Sequence, residues 1–497
     1  KDMGAGGITC STVEQVAKAG LGADIDLGKV NVAIEDMPPS VIGCAETQER
    51  FTWMCHPSLT KMIVEHYNKK WDLPSVADNA GAFVIGKVKE GKYQLSYRGE
   101  VYVDAKSKYI TYALSYKRPF AGPKKKLKEP KIAEPRSYKK AILDLLGSEN
   151  IASKKPFYEK YDKQVQGYTV IEAGLADAGV IGPLMDERVS ADVKKVGIAL
   201  STDGNPRYGL IDPYHAAINA VVEAMRNVAA VGAIPQAITN CLNYGNPEKK
   251  EQMWELFEGI RGIAKACNEI KLKNHKKHPT PVVSGNVSLY NETKKGHIPP
   301  SAIICCVGKI DDHNKAITME FKAAGSALYM LGARKDELGG SEYYRKKKEL
   351  GANIPKVNFK QAQGEIYTVT DAIEKELITA AHDISEGGLA VTLAEMSFGG
   401  WGEGRIGAEV DLAKVPQKAL RADKKLFSES GGFVVEVPAE NQKKFEAICK
   451  KNGIYPSKIG ETTEKSHLVF RNKDAVLADI KVGKAAETWL NGLRNKL

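Results

Sequence analysis

The sequence predicts a mixed α/β and α+β chain organised around a tandem repeat, and three observations carry that expectation. A block occurs twice: DMGAGGI at Asp2–Ile8, DLGKV at Asp26–Val30 and AETQERF at Ala45–Phe51 return as DISEGGL at Asp383–Leu389, DLAKV at Asp411–Val415 and SESGGF at Ser428–Phe433. The Asp-to-Glu spacings are 44 and 46 residues, and Glu14 and Glu395 sit at one offset after the Asp. Three landmarks in the same order imply a duplicated domain. A long stretch of alternating apolar strands and amphipathic helices, roughly 186 to 312, precedes only the second copy, so the chain reads as a duplicated protein entered partway through its first half.

Taken in order, residues 8–20 place Val13, Val16 and Ala17 at helical spacing behind a glycine pair, so a loop opens into a helix. The runs Gln94–Arg98 and Glu100–Asp104 alternate as strands around a Gly-Glu turn. This first α+β module is expected to span 1–115. A basic linker with connecting helices follows over 116–185, including a short helix at Tyr138–Leu146. The second module (186–312) starts with a strand from Gly197, punctuated by Asp203–Tyr208. Pro213 then starts a helix with one apolar stripe from Ile218 to Ala229. A strand at Gln236–Asn240, a helix near 249–268 and strands at Pro281–Ser284 and Ala302–Val307 complete it. Polar loops are expected at Asn243–Pro247 and Gly285–Glu292. The third module (322–497) repeats the first and adds the apolar strand Ala327–Leu331.

Bulk composition sets the class. At 497 residues, with 43% hydrophobic and 27% charged content, the chain fits an ordinary multi-domain globular protein. No apolar run reaches the roughly 18 residues of a membrane span. Eight scattered cysteines, without CxxC or Cys/His zinc spacing, fit reduced thiols and a cytoplasmic location. The net charge of +11 is concentrated in 117–140, where ten Lys/Arg face only Glu129 and Glu134; with its prolines that stretch reads as a solvated linker, not a nucleic-acid surface.

Four constellations could carry chemistry. Asp2 before Gly6-Gly7 joins a carboxylate that can hold Mg²⁺ to a helix start that phosphate can approach; alone, such a motif is more often a capped turn. The recurrence at Asp383 and Gly387-Gly388 favours the functional reading. Glu46, Thr47 and Gln48 offer acceptor, hydroxyl and amide groups to a polar substrate, or form a polar strand edge. Glu429-Ser430-Gly431 has lost the amide and should not bind the same molecule. In the second module, Asn240, Gly285, Asn286 and Ser288 lie in loops expected after buried strands, where α/β folds place ligands, though ordinary connections fit equally. There is no Walker A loop, no GxGxxG after a strand and no nucleophile elbow; His215 and His382 read as structural.

The strings DMGAGGI, AETQERF, DGNPRYGLIDPY, TNCLNYGNPEKK, PVVSGNVSLYNET, AHDISEGGLAV and FSESGGFVVEV resemble the phosphoribosylformylglycinamidine synthases of small synthetase-subunit type. The resemblance covers almost the whole chain. It implies tandem copies of the aminoimidazole-ribonucleotide-synthetase architecture, each pairing a ferredoxin-like nucleotide module with an α+β module. It further implies ATP-dependent conversion of formylglycinamide ribonucleotide to the amidine with glutamine-derived ammonia, in purine biosynthesis. By this likeness Asp2 and Asn286 are Mg²⁺ ligands, and Glu46, Thr47, Gln48 and Ser288 hold the ribonucleotide. Asn240 and Gly285 contact ATP, Asn240 replacing a family Asp. A separate glutaminase subunit and a small bridging subunit are implied partners, with no nucleic acid and no membrane. The family's catalytic histidines would precede Lys1, so the first nucleotide module is expected to be missing and the chain inactive by itself. Two alternatives remain: a non-catalytic scaffold half that binds nucleotide structurally, and another ATP-using enzyme of the superfamily, which the duplication disfavours.

Overall fold

Gly6 and Gly7 start the first helix because both adopt positive φ, at 70° and 63°, where a side chain is strained. The computed structural model describes residues 1–112, 116–124 and 127–497; the expected end of the first module at 115, and Lys125 and Lys126 of the basic stretch, lie outside the described residues. The chain divides into two units, Lys1–Lys117 and Arg118–Leu497. No helix among the described residues is long and apolar enough to cross a membrane.

In the first unit, α1 (Gly7–Lys18) buries Ile8, Val13 and Val16. They pack on a four-stranded sheet of β1 (Gly22–Asp26), β2 (Gly86–Lys89), β3 (Lys92–Tyr97) and β4 (Glu100–Lys106), ordered β2-β1-β3-β4. β1 runs parallel to β3; the other pairs are antiparallel. The β3–β4 hairpin turns on Arg98 and Gly99, both at positive φ, as a two-residue turn matched to strand twist requires. The turn therefore lies one residue earlier than the Gly-Glu pair read from the sequence.

The second unit begins with a segment that the sequence reads as solvated, and most of it is anchored. The Phe120 ring stacks on Phe257 at 4.5 Å, and the Ala121 amide donates to the Lys250 carbonyl. Glu129 accepts from Tyr344 Oη (2.7 Å), Ala352 N (2.8 Å) and Asn353 N (3.0 Å), and Ile132 packs on the core. Charge counting misses these pins because they come from the few uncharged or acidic residues between the lysines. Glu129→Ala is expected to free the strap, with tryptic cleavage between 117 and 140 about tenfold faster; a time course on the folded chain checks it. After the strap comes α2 (Tyr138–Leu146), capped by Ser137, whose Oγ accepts from Lys140 N.

A six-stranded sheet follows, formed by β5 (Thr169–Ile171), β6 (Gly179–Ile181), β7 (Gly197–Asp203), β8 (Ile234–Asn243), β9 (Val282–Ser288) and β10 (Ser301–Ile310), ordered β9-β8-β10-β7-β6-β5. β5 and β6 arise within the stretch read as linker. One face is covered by α3 (Pro213–Ala230) and α4 (Lys250–Glu269). Asp212 caps α3 by accepting from His215 N, and Pro213 occupies the first turn. Val221, Val222, Met225 and Val228 are fully buried against Ile238, Ile304 and Cys306, each contributing about 1.5–3 kcal/mol of transfer free energy.

The last part repeats the first unit on a larger sheet. Its strands are β11 (Ala327–Leu331), β12 (Ala380–Asp383), β13 (Gly407–Asp411), β14 (Phe433–Val437), β15 (Ser457–Thr463), β16 (His467–Asn472) and β17 (Ala475–Lys481), ordered β12-β14-β11-β15-β13-β16-β17. β15-β13-β16-β17 reproduces β2-β1-β3-β4, including its single parallel pair, and α6 (Gly388–Phe398) reproduces α1. α5 (Phe359–Glu374), α7 (Gln442–Lys451) and α8 (Val482–Arg494) complete the layers. β14 is buried along its length between β11 and β12. Its counterpart after Gln48 forms the isolated bridge Asp2–Phe51 in place of a strand, with Trp53 62% exposed.

Candidate functional site

The first copy gathers three of its expected residues around one tight loop. Asp2 Oδ1 accepts from Gly4 N at 2.9 Å, which leaves Oδ2 available, and Met3 N donates to Arg50 O. Glu46 Oε1 accepts from Gly6 N at 2.8 Å. A Cβ on Gly4 would stand 3.4 Å from Gln48 Oε1, so the amide of Gln48 lies over the Asp2 loop. Thr47 and Gln48 are exposed, and Gln48 Nε2 donates to Glu46 O at 3.4 Å. Gly7 permits this closeness: a Cβ there would meet Gly43 O, Cys44 C and Ala45 O at 2.7–2.9 Å.

The second copy has the same frame with different contents. Gly387 and Gly388 repeat the positive φ values, and a Cβ on Gly388 would meet Leu426 O, Phe427 C and Ser428 O at 2.7–2.8 Å. Glu429 Oε1 accepts from Gly387 N at 2.8 Å, and the Asp2–Phe51 bridge recurs as Asp383–Phe433. Even the Lys1–Glu14 ion pair has a counterpart in His382–Glu395. Glu429, however, also accepts from Glu342 N and Tyr208 Oη and is buried, and Gly431 stands where the first copy has Gln48. A side chain at 431 would overlap the Arg226 guanidinium at 2.7 Å. Fully buried Arg334 donates to Ser428 O and Gly431 O, fixing this loop.

In the α/β module, Asn240, Gly285, Asn286 and Ser288 are brought to neighbouring strands rather than to loops. β8 extends to Asn243 and β9 covers Val282–Ser288, in register Gly285↔Asn240 and Asn286↔Cys241. Gly, Asn and Ser read as turn residues, but β9 is an exposed edge strand that tolerates them. Strand alternation splits the four: Gly285 lies against the Asn240 side chain on one face, whereas Asn286 and Ser288 take the other. Ser288 Oγ donates to Asn291 Oδ1, and Asn286 is exposed.

The sequence reading missed a buried acidic cluster beside the second copy. Asp177, His382 and Asp383 place ligand atoms within 4.8 Å of one another. His382 Nδ1 lies 2.6 Å from Asp177 Oδ1 and its Nε2 3.0 Å from Glu395 Oε2. Burial opposes a charge on this ring, but the flanking Asp177 and Glu395 carboxylates outweigh it and hold the imidazolium well above the usual histidine range. Burial pushes Asp383 up to about 7 and Asp203 up to about 6, with Arg226 countering in each case. Burial also raises Glu223 and Glu386 well above the carboxylate range, and Glu429 to about 7. Among the described residues, Asp177 Oδ1 and Asp383 Oδ2 are buried without a hydrogen-bond partner, Asp177 Oδ1 meeting His382 only as an ion pair. The sequence signal was Glu223 and Arg226 interrupting the apolar stripe of α3.

Comparison with known proteins places these modules. The family described as AIR synthase related protein, C-terminal domain, matches residues 1–97 and 323–473, and the corresponding N-terminal domain family matches 176–310. A phosphoribosylformylglycinamidine synthase subunit PurL of Methanothrix thermoacetophila is 44% identical over all of this chain and 63% of its own length. The PurL subunit of Methanocaldococcus jannaschii is 36% identical over 97% of this chain and 63% of its own. The chain thus spans less than two thirds of the curated relatives it matches. Thermotoga maritima PurL complexed with ATP superposes with a TM-score of 0.59 at 23% identity, over 93% of this chain and 63% of that one. The same protein complexed with FGAR gives 0.58 at 22% identity, over 93% and 61%. With both domain families matched in the order of the repeat, the chain belongs to the AIR synthase related proteins and is a homologue of the phosphoribosylformylglycinamidine synthase subunits PurL.

Proposed function

We propose that this chain is the greater part of an amide-to-amidine ligase that converts formylglycinamide ribonucleotide to formylglycinamidine ribonucleotide, using ATP and glutamine-derived ammonia, in purine biosynthesis. The observation that carries this reading is the loop cluster of Asp2, Glu46 and Gln48 in a chain 44% identical throughout to a PurL subunit. In the reaction, the substrate amide oxygen takes the γ-phosphoryl group of ATP, ammonia adds to the activated carbon, and phosphate leaves. Such charge-dense chemistry calls for positioned donors rather than a covalent nucleophile. Thr47, Gln48 and Ser288 supply directional donors and acceptors for the ribonucleotide, and Asn240 and Gly285 flank the ATP. Asp2 in the first unit and exposed Asn286 in the second would each serve as a Mg²⁺ ligand, and Mg²⁺ when bound neutralises phosphate charge. The assignment divides the chain into a substrate module (1–115), a connecting segment (116–185) whose β5 and β6 join the sheet of the nucleotide module (186–312), and a second α+β module (322–497). A glutaminase subunit supplies ammonia, a small subunit bridges the two, and the assembly is cytoplasmic.

The test is turnover with ammonia, ATP and formylglycinamide ribonucleotide, with this chain joined to the remaining length its relatives possess. Asp2→Ala and Gln48→Ala are each expected to lower turnover about a hundredfold; unchanged rates would remove the site assignment. Asn286→Ala should weaken the Mg²⁺-ATP titration about tenfold.

A second reading concerns the second copy alone, and the buried oxygens of Asp177 and Asp383 that lack a hydrogen bond favour it. There the acidic cluster holds a divalent cation and, through it, a structural nucleotide. Mass spectrometry of the purified chain should find unhydrolysed nucleotide released on denaturation; a nucleotide-free chain whose melting ignores Mg²⁺ would exclude it.

A further inference from the structure

We infer that Glu46 is a positioning residue rather than a substrate ligand: its carboxylate clamps the Gly6 amide and so sets the Asp2–Gly7 loop, while recognition falls to Thr47 and Gln48. The inference rests on the ligase reading for what the loop serves, but its structural basis is independent. The repeat supplies an internal comparison. Glu46 Oε1 and Glu429 Oε1 each accept from the glycine amide that caps the following helix, both at 2.8 Å. The second glycine of each pair presses on backbone carbonyls just ahead of the glutamate, Gly43 O and Ala45 O in one copy, Leu426 O and Ser428 O in the other. Carboxylate and backbone therefore hold the loop from two sides.

The two residues after the glutamate differ between the copies. Thr47-Gln48 becomes Ser430-Gly431, and Arg226 fills the space a side chain at 431 would need. In the second copy a hydroxyl remains at Ser430 but the amide is gone and its place is taken, yet the glutamate remains on its glycine. A carboxylate that keeps its bond when the neighbouring amide is lost serves the loop. Glu46 then governs the placement of Asp2 and the direction of the α1 amides, and reaches the substrate only through them.

The experiment combines millisecond hydrogen exchange of residues 3–10 with calorimetric titration of formylglycinamide ribonucleotide, on the whole chain and on Glu46→Ala, Glu46→Gln and Gln48→Ala. Exchange in Glu46→Ala is expected to rise about fivefold, with Glu46→Gln close to the parent because its amide oxygen still accepts. Gln48→Ala should leave exchange unchanged and weaken the ribonucleotide, whereas Glu46→Gln should bind it as the parent does. If Glu46→Gln and Glu46→Ala lose affinity equally while exchange stays at the parental rate, Glu46 is a direct ligand and the inference is overturned. If the exchange pattern holds but even the parent ignores the ribonucleotide, the clamp stands and the ligase reading fails.

Discussion

Raising the pH from about 5 to about 8 is expected to lower the melting temperature of the Arg118–Leu497 unit by about 5 °C or more, and Asp383→Asn should remove a large part of that loss. Burial lifts the Asp383 and Glu429 carboxyls to about 7, whereas in the unfolded chain such groups titrate near pH 4. Between those values the native state holds more protons than the unfolded one. Stability is therefore full below about pH 4 and declines as the pH rises through the folded values. Each group so raised costs on the order of 4 kcal/mol above neutrality, the countering charges of Arg226 and His382 on Asp383 being already contained in that rise. Asp203, half-buried beside Glu223, acts in the same direction with its rise to about 6. Calorimetry of parent and variant across pH checks this. A flat parental profile would mean that the cluster ionises without cost. Mg²⁺ should restore the parent at pH 8 and not the variant.

Gly388→Ala is expected to lower the stability of the same unit by about 2–5 kcal/mol, from roughly 1–2 for a side chain at positive φ and 1–3 for overpacking. The added methyl has nowhere to move, since its three neighbours at 2.7–2.8 Å are backbone atoms of Leu426–Ser428. Gly325→Ala is the control: its φ is +82°, but a Cβ there meets nothing within 4 Å, so only the backbone cost of about 1–2 kcal/mol should appear. Urea unfolding of the two variants separates strain from overlap. Equal losses would show that the carbonyls behind Gly388 yield readily.

Elements with a local signature were legible in the sequence. The helices at Tyr138 and Pro213 begin where read, with Ser137 and Asp212 as their caps, and the apolar run Ala327–Leu331 is the buried strand expected. The repeat was legible because its landmarks carry backbone geometry: glycine pairs at positive φ and an Asp that accepts from the amide two residues on, at Gly28 and Ala413. The second half of β9, from Gly285 on, was read as a loop because its Gly, Asn and Ser are turn formers, and only the parallel pairing with β8 makes them a strand. The acidic cluster was illegible for a different reason. Asp177, Asp203, Glu223 and Asp383 come from segments as far as 206 residues apart, and no local rule joins them. Of the site residues, Asp2, Glu46 and Gln48 meet at one loop, whereas strand alternation parts Gly285 from Asn286.

The doubled glutamate–glycine bond has a consequence for how this scaffold can change. Each copy fixes its loop through a carboxylate and a backbone amide, and neither depends on the two residues next in the chain. Those two positions therefore carry what the mount presents: Thr-Gln in one copy and, in the other, Ser-Gly, where Gly431 takes a φ of 75° beside Arg226. Specificity in such a fold can drift or vanish at two adjacent side chains without unsettling the hydrophobic layers beneath, whereas rebuilding it in the second copy would have to displace Arg226.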